Sequence, residues 1–378
     1  PHSHLGSRGS HTIIRLLLKH LPQDQFNIIT VPYDAPGTGD ADFIRSVEAQ
    51  GNTIAPERIP WQSRSQWLKA RNQIAHLIEH YKIDVVHCHD TQSNVLMGLG
   101  HERWNCGTVA SPYGWWESKW QLQAKFYHYL EKHHALPNFD RVYTVSQNMK
   151  QKVMQGPTHE SRIRVIHTGL DLNAMDDGGE GAAVRKELGI PQEAIVAGTV
   201  SRLFKEKGHT FLLDALSQLP ALDTPLHLLI VGTGDERERL EAQAKTLGIS
   251  DKICFAGFYD DLTGALRAMD IFVQPSIDHE GFPTSVLEAQ AAGLPVIASD
   301  IGGTHETMNV GTTGILVPPA NTPALAEALR MLAVDTEKRA AMAAAARPWI
   351  ENSFTLQHML EQIAATYHEA HACYNART

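Results

Sequence analysis

The chain has 378 residues, 43% of them hydrophobic and 20% charged, a balance that excludes a disordered or fibrous protein and suffices for two or three cored domains. No apolar run approaches the roughly 18 to 20 residues needed to cross a bilayer, and none has the form of a signal peptide, so a soluble or membrane-surface protein is expected. The net charge of −9 divides unevenly: residues 1–175 carry 18 Lys and Arg against 15 Asp and Glu (+3), and the remainder 15 against 27 (−12). That polarity turns the amino-terminal half toward an acidic partner, such as an anionic membrane surface or a phosphorylated acceptor, with a chance excess on solvated faces as the alternative.

Along the chain, strand-like runs alternate with helical stretches, the signal of parallel sheets in an α/β protein. The first-half candidates for strands are Asn27–Val31, Ile83–His87, Thr108–Ser111, Arg141–Val145 and Arg164–His167. Asp40-Ala-Asp42 has the spacing of a metal-binding pair but lies in a Gly-rich loop, where a solvated turn is expected. In His87-Cys-His-Asp90, His87 and His89 point to one side of a strand and Cys88 to the other. Strand-end residues near a cleft are favoured there over a metal site.

Trp115, Trp116, Trp120, Phe126, Tyr127 and Tyr129, with Lys119, Lys125, Lys132, His133 and His134, make an aromatic and basic stretch. An amphipathic helix of this kind suits a bilayer interface or a sugar acceptor. Burial of the same aromatics in the core of the first domain explains the pattern equally well.

The composition changes at Asp176-Asp-Gly-Gly-Glu-Gly181, the expected linker, which separates a first domain at 1–175 from a second at 182–355. In the second half the candidate strands are Ala194–Val200, Leu226–Val231, Lys252–Ala256, Ile271–Gln274, Pro295–Ser299 and Ile315–Val317, with helices such as Gly208–Gln218 and Glu236–Leu247 between them. Two doubly wound domains would bind ligands at the carboxyl ends of their strands. A last helix is expected over Leu356–Tyr374. Cys88, Cys106, Cys254 and Cys373 lack metal spacing and read as reduced cytosolic thiols.

The most informative run is Glu280-Gly-Phe-Pro-Thr-Ser-Val-Leu-Glu288, followed by Ala-Gly-Leu-Pro-Val-Ile-Ala-Ser-Asp300 and Gly302-Gly303. Pro283 fits a first helical turn, where its missing N–H costs nothing, so Glu280 sits in a loop and Glu288 on the helix. From Pro283 to Glu288 such a helix spans roughly 7 Å. Two carboxylates so separated can grip different parts of one extended ligand. The exposed amides near Gly281, Phe282 and Thr284 lie at the positive end of that helix, where phosphate or a sugar oxygen is favoured. The bland alternative is a helix with one Glu serving its dipole and another on a solvated face.

With this segment, the chain resembles the retaining glycosyltransferases of family 4, of GT-B architecture, whose signature is a Glu, seven residues and a second Glu. Three further segments carry the resemblance: Ile195–Gly208, with Arg202 and Lys207; Leu-Leu-Ile-Val-Gly-Thr-Gly234; and Lys-Ile-Cys-Phe-Ala-Gly257. The resemblance implies two Rossmann-like domains with a cleft between them, and a carboxy-terminal helix (356–378) that returns to the first. It implies transfer of a sugar, with retention, from a nucleoside-diphosphate sugar of UDP or GDP type to a glycan, lipid-linked or small-molecule acceptor, with no metal requirement. Arg202 and Lys207 would hold the diphosphate, Glu280 the donor-sugar hydroxyls and Glu288 the ribose. Gly281, Phe282, Pro283 and Thr284 would form the intervening turn, with Gly234 at the donor site.

At the amino terminus the family opens with an apolar strand and a Gly-rich loop, whereas this chain starts at Pro1. We expect a trimmed strand, with Gly6–Ser10, including Gly9, as the loop beneath the donor phosphates. Tyr113 stands where family members commonly carry a His, and a phenol can still donate a hydrogen bond but carries no positive charge near neutral pH. His89, Tyr113 and Trp115 are the acceptor or cleft candidates. A cytoplasmic protein, peripheral on the inner membrane face and without nucleic-acid partners, is expected. A sugar-nucleotide 2-epimerase of the same architecture and a non-catalytic sugar-nucleotide-binding partner are the alternatives.

Overall fold

The structure, a computed structural model, describes residues 9–34, 47, 53–60, 66–115, 122–278 and 280–377. The chain divides into two compact α/β units, residues 1–167 with 357–378, and residues 168–356. Residues 1–8, Asp40, Asp42, Trp116, Lys119 and Trp120 lie outside the described residues.

In the first unit the strands are β1 (Ile29–Thr30), β2 (Tyr33–Asp34), β3 (Thr53–Ile54), β4 (Ile59–Pro60), β5 (Val85–Cys88), β6 (Gly107–Ala110), β7 (Arg141–Thr144) and β8 (Ile163–Val165). β5 to β8 form a four-stranded parallel sheet in chain order, while β1 pairs with β3 and β2 with β4. All four residues of β6 are buried, as expected of a parallel strand covered on both faces. Gly9 opens a helix, Gly9–His20.

The last helix, Leu356–Asn375, gives its residues from Gln357 onward to this unit. Glu369 accepts from Arg141 Nε at 2.5 Å and Arg164 Nη2 at 3.0 Å. Arg377 pairs with the buried Asp140 at 2.8 Å. These charges tie the chain end to β7 and β8.

The second unit holds β9 (Ile195–Val200), β10 (Leu226–Val231), β11 (Ile253–Gly257), β12 (Ile271–Gln274), β13 (Val296–Ser299) and β14 (Gly314–Val317) in one parallel sheet, ordered β11-β10-β9-β12-β13-β14. Renumbered within the unit, that is the 3-2-1-4-5-6 order of the doubly wound Rossmann fold, and its switch point lies between β9 and β12. Leu212, Leu213, Leu228, Ile230, Ile271, Val273 and Ile297 fill the core around it. Each such side chain contributes about 1.5 to 3 kcal/mol of burial.

The Asp176–Gly181 stretch lies inside this second unit, which begins at Thr168. Its glycines permit close packing rather than looseness. A Cβ at Gly178 would sit 2.2 Å from Thr263 Cβ, and one at Gly181 would sit 2.1 Å from the Arg267 carbonyl oxygen. Arg267 in turn donates to the carbonyls of Met175, Asp176, Gly178 and Gly179. Asp176 accepts from Arg347 at 2.7 and 3.0 Å.

Candidate functional site

At the switch point, β9 runs into Ser201–Lys207 and β12 into the segment that carries Glu280. The two loops are clamped together at backbone level. Ile277 N donates to the Glu206 carbonyl at 2.9 Å. Gly208, at φ +71°, passes so close to Pro275 that a Cβ would lie 1.9 Å from its carbonyl oxygen. The Gly-rich turn after β10 packs on the first loop: Leu203 N donates to Thr233 O at 2.9 Å, and a Cβ at Gly234 would lie 2.4 Å from Leu203 O. Gly234 thus allows the close approach that supports the Arg202 loop. Arg202 places its guanidinium 4.8 Å from the Phe204 ring centroid and makes no ion pair among the described residues.

Lys207 and Glu280 meet, Nζ to Oε1, at 2.6 Å. The same oxygen accepts from Ser276 Oγ at 2.5 Å and from Gln274 Nε2 at 2.9 Å. Gln274 Nε2 also donates to Ser276 Oγ at 3.0 Å, while Gln274 Oε1 accepts from Ser285 Oγ at 3.3 Å. Burial pushes the Glu280 carboxyl up, but the Lys207 charge and the hydrogen bonds from Lys207, Ser276 and Gln274 outweigh it and hold the group below the usual carboxylate range. Among the described residues, Oε2 of Glu280 accepts no hydrogen bond.

The Glu280 backbone is fixed from the other side. Gly303 N donates to its carbonyl at 3.0 Å, and Gly302, at φ +58°, would put a Cβ 1.7 Å from that oxygen. Glycine is required at 302 both for the left-handed backbone and for the approach. Gly281 and Phe282 then bend the chain, with Phe282 buried edge-on to Phe354 at 5.5 Å. Pro283 is the N-cap of helix Thr284–Ala291, which has no side-chain cap, so no capping side chain satisfies its first amides. Glu288, half-buried on that helix, has no side-chain hydrogen bond among the described residues. Burial raises its carboxyl to about 7. Carboxylates perturbed in this way concentrate at functional sites.

Arg202, Lys207, Gly234, Glu280, Gly281, Phe282, Pro283, Thr284 and Glu288 therefore all belong to the second unit. Gln274 and Ser276 escaped the sequence reading. The one available signal was a glutamine ending an apolar strand, Ile-Phe-Val-Gln, where a buried amide demands partners.

In the first unit, by itself, His89 and Tyr113 meet at the carboxyl ends of β5 and β6, Nδ1 to phenol oxygen, at 2.6 Å. His87 lies against His89, ring centroids 3.8 Å apart, and bonds Ser111 at 2.6 Å and Tyr367 at 2.8 Å. Burial pushes His89 down to about 3 and Tyr113 well above its ordinary value, so both are neutral at physiological pH. Among the described residues no group of three or more His, Cys, Asp or Glu could hold a metal ion.

Trp115 departs from the acceptor-facing expectation. It is 7% exposed and donates Nε1–H to the buried Glu131 at 2.6 Å. Thr91 and Asn94 donate to the same carboxylate at 2.8 and 2.6 Å. Glu131 opens a π-helical turn, Glu131–Ala135. The helix before that turn, Leu122–Leu130, keeps Phe126 49% and Tyr129 54% exposed. The aromatic stretch thus divides between core and surface. No helix among the described residues is long and apolar enough to cross a membrane.

Residues 182–349 match the family described as glycosyl transferases group 1, and residues 7–174 match Glycosyltransferase Family 4. The chain is 33% identical over 285 residues to the D-inositol 3-phosphate glycosyltransferase of Corynebacterium urealyticum, covering 69% of this chain and 65% of that protein. It is 31% identical over 187 residues to the 2-deoxystreptamine glucosyltransferase of Streptomyces kanamyceticus, covering 49% and 48%. These matches span about half to two thirds of the length of the curated relatives. Among solved structures, HepE of Anabaena in complex with UDP superposes with a TM-score of 0.79 at 22% identity, over 95% of this chain and 96% of that one. That likeness is one of fold, GT-B.

Proposed function

This chain belongs to the family 4 glycosyltransferases, and we propose that it moves a sugar, with retention, from a nucleoside-diphosphate sugar to a glycan, lipid-linked or small-molecule acceptor. The observation that carries this reading is the convergence of Arg202, the Lys207–Glu280 pair and the unpartnered Glu288 carboxylate on the loops and helix following β9 and β12. A cation, a hydrogen-bond acceptor set in a buried network and a second acceptor about one turn into helix Thr284–Ala291 suit a diphosphate, a sugar and a ribose in that order.

As the bond from anomeric carbon to phosphate breaks, the diphosphate gains negative charge and the sugar becomes oxocarbenium-like. Arg202, together with Lys207 and the amides of Gly281, Phe282 and Thr284, stabilises the departing phosphate in this reading. Glu280 accepts from a donor-sugar hydroxyl through its free Oε2, and Glu288 from the ribose. Phe282 serves through its backbone, because its ring is packed against Phe354. Transfer needs no metal in this scheme, since the cations and amides do the charge stabilisation.

The donor nucleotide is proposed to be of UDP or GDP type, and the UDP complex of HepE favours UDP. His89 and Tyr113 are the acceptor-side candidates, a neutral pair able to exchange hydrogen bonds with a polyol. Exposed Phe126 and Tyr129, with exposed Lys125 on the same helix, support an anionic membrane surface as a contact, and with it a cytoplasmic, membrane-peripheral setting. The test is calorimetric binding of UDP, GDP and ADP, each with excess EDTA, to the parent and to Glu288→Ala. Metal-independent binding of one nucleotide, lost in the variant, is expected. No binding by the parent overturns the reading.

A further inference from the structure

The geometry points to Gln274 as a positioning residue that decides which oxygen of Glu280 is offered to the donor sugar. This inference rests on the donor-site reading above and adds a residue and a specificity to it. Gln274 closes β12, a strand buried along its whole length, and is itself 2% exposed. A buried amide is tolerated only when hydrogen-bonded, and here its inventory is nearly complete. Its two N–H bonds go to Glu280 Oε1 at 2.9 Å and Ser276 Oγ at 3.0 Å, and its oxygen accepts from Ser285 Oγ at 3.3 Å. The amide cannot turn over, because a flipped oxygen would face a carboxylate that has nothing to donate.

The consequence runs through Glu280. With Lys207, Ser276 and Gln274 all on Oε1, the carboxylate is held in one rotamer and Oε2 is left as the acceptor for a ligand. An acceptor-only oxygen selects a hydroxyl at the sugar position it meets and disfavours a carboxylate at that position. Ser285, on the first turn of helix Thr284–Ala291, couples the orientation to the amides assigned to phosphate. Lys207 alone could hold Glu280 by charge; the directional amide fixes its plane.

The test compares a nucleotide with its sugar derivative on the same protein, using UDP with UDP-glucose and, in parallel, GDP with GDP-mannose. Gln274→Met, close in volume, should leave UDP or GDP affinity within about twofold and lower the extra affinity contributed by the sugar by about tenfold. Gln274→Glu should lose the sugar contribution at pH 8 and regain it as the pH falls, because a proton shared by the two carboxylates restores a donor toward Oε1. Gln274→Met should show no pH response in this ratio beyond the parent's. The ratio cancels titration at the ribose, which both ligands share; the terminal phosphate of the free nucleotide titrates at about pH 6 and that of the sugar derivative does not, so each variant's ratio is taken relative to the parent's at the same pH. If either variant binds the nucleotide normally and keeps the full sugar contribution at pH 8, the inference is overturned. Failure of the parent to bind any nucleotide would instead overturn the donor-site reading itself. Should Gln274→Met lose nucleotide binding through misfolding, the pH series on Gln274→Glu decides.

Discussion

The ammonium of Lys207 lies 2.6 Å from Oε1 of Glu280, 73 residues further along the chain, and the two side chains retain 16% and 7% of their exposure. The cation expected on the phosphate and the carboxylate expected on the sugar hold each other. Arg202, the other cation of the constellation, makes no ion pair among the described residues.

Removing one member of a buried pair strands the other. Lys207→Met should therefore cost about 3 to 5 kcal/mol of stability, and Lys207→Met combined with Glu280→Gln markedly less than the sum. Urea unfolding of the three proteins checks this, and additive losses would show that the pair is not coupled. Because the Glu280 carboxyl is held below its ordinary 4.5 in the folded protein, its contribution is present above that value and fades as the pH falls through the folded one. Glu280→Gln should flatten the acid side of the unfolding profile.

Arg202 carries no structural ion pair, so its loss should separate activity from stability. Arg202→Ala should reduce donor turnover by about 10² to 10³ while shifting the urea midpoint little. Undiminished hydrolysis or transfer would remove Arg202 from the leaving-group role.

Glu288 titrates in the other direction. A folded value raised to about 7 from 4.5 means the unliganded protein loses stability as the pH rises between those values, because ionising the buried group is disfavoured. Ribose hydroxyls donating to the carboxylate favour its ionised form. Nucleotide binding near pH 6 should then release protons and weaken as the pH falls below about 7, and Glu288→Gln should abolish both effects. Calorimetry in buffers of different ionisation enthalpy measures the protons directly.

A methyl group at 302 has nowhere to go. Gly302→Ala should cost at least about 1 to 2 kcal/mol from left-handed strain alone and should displace the Glu280 carbonyl, which the new Cβ would meet at 1.7 Å. Nucleotide-sugar affinity should fall more than nucleotide affinity. Thermal unfolding and calorimetry on one preparation would detect both losses, and parent-like values for either contradict the geometry.

Trp115→Phe deletes one of the donors to the buried Glu131, whose carboxyl burial already raises to about 7. A loss of about 1 to 3 kcal/mol is expected, read by circular dichroism in urea. An unchanged midpoint with altered acceptor use would return Trp115 to the acceptor or cleft role first expected of it.

The strands of the second unit were legible because each is a short, mostly apolar run, buried nearly throughout in Ile195–Val200 and Leu226–Val231. β2, β3 and β4 are two residues long and too short to show any period. Asp176–Gly181 reads as a linker by composition, yet its glycines allow contact with Thr263 and Arg267, a use that composition does not distinguish from flexibility. Glu280 and Glu288 could be picked from their spacing. Their differing surroundings could not, since Lys207 reaches Glu280 only after β9 and β12 become neighbours, and the turn that folds Gln274 and Ser276 back onto it has no periodic signal. Trp115 carried no local sign of its partner, because Glu131 is supplied by a π-helical turn.

The return of the last helix to the first unit bears on synthesis. The second unit is one uninterrupted stretch, Thr168–Leu356, whereas the first needs residues 357–378 as well as 1–167. During vectorial synthesis the amino-terminal half leaves the ribosome without Glu369, Arg377 and Tyr367, and Asp140, Arg141, Arg164 and His87 must wait for them. The unit made second can thus close before the unit made first. A chain stalled at residue 356 should give a protease-resistant carboxy-terminal fragment and an amino-terminal half still open to cleavage.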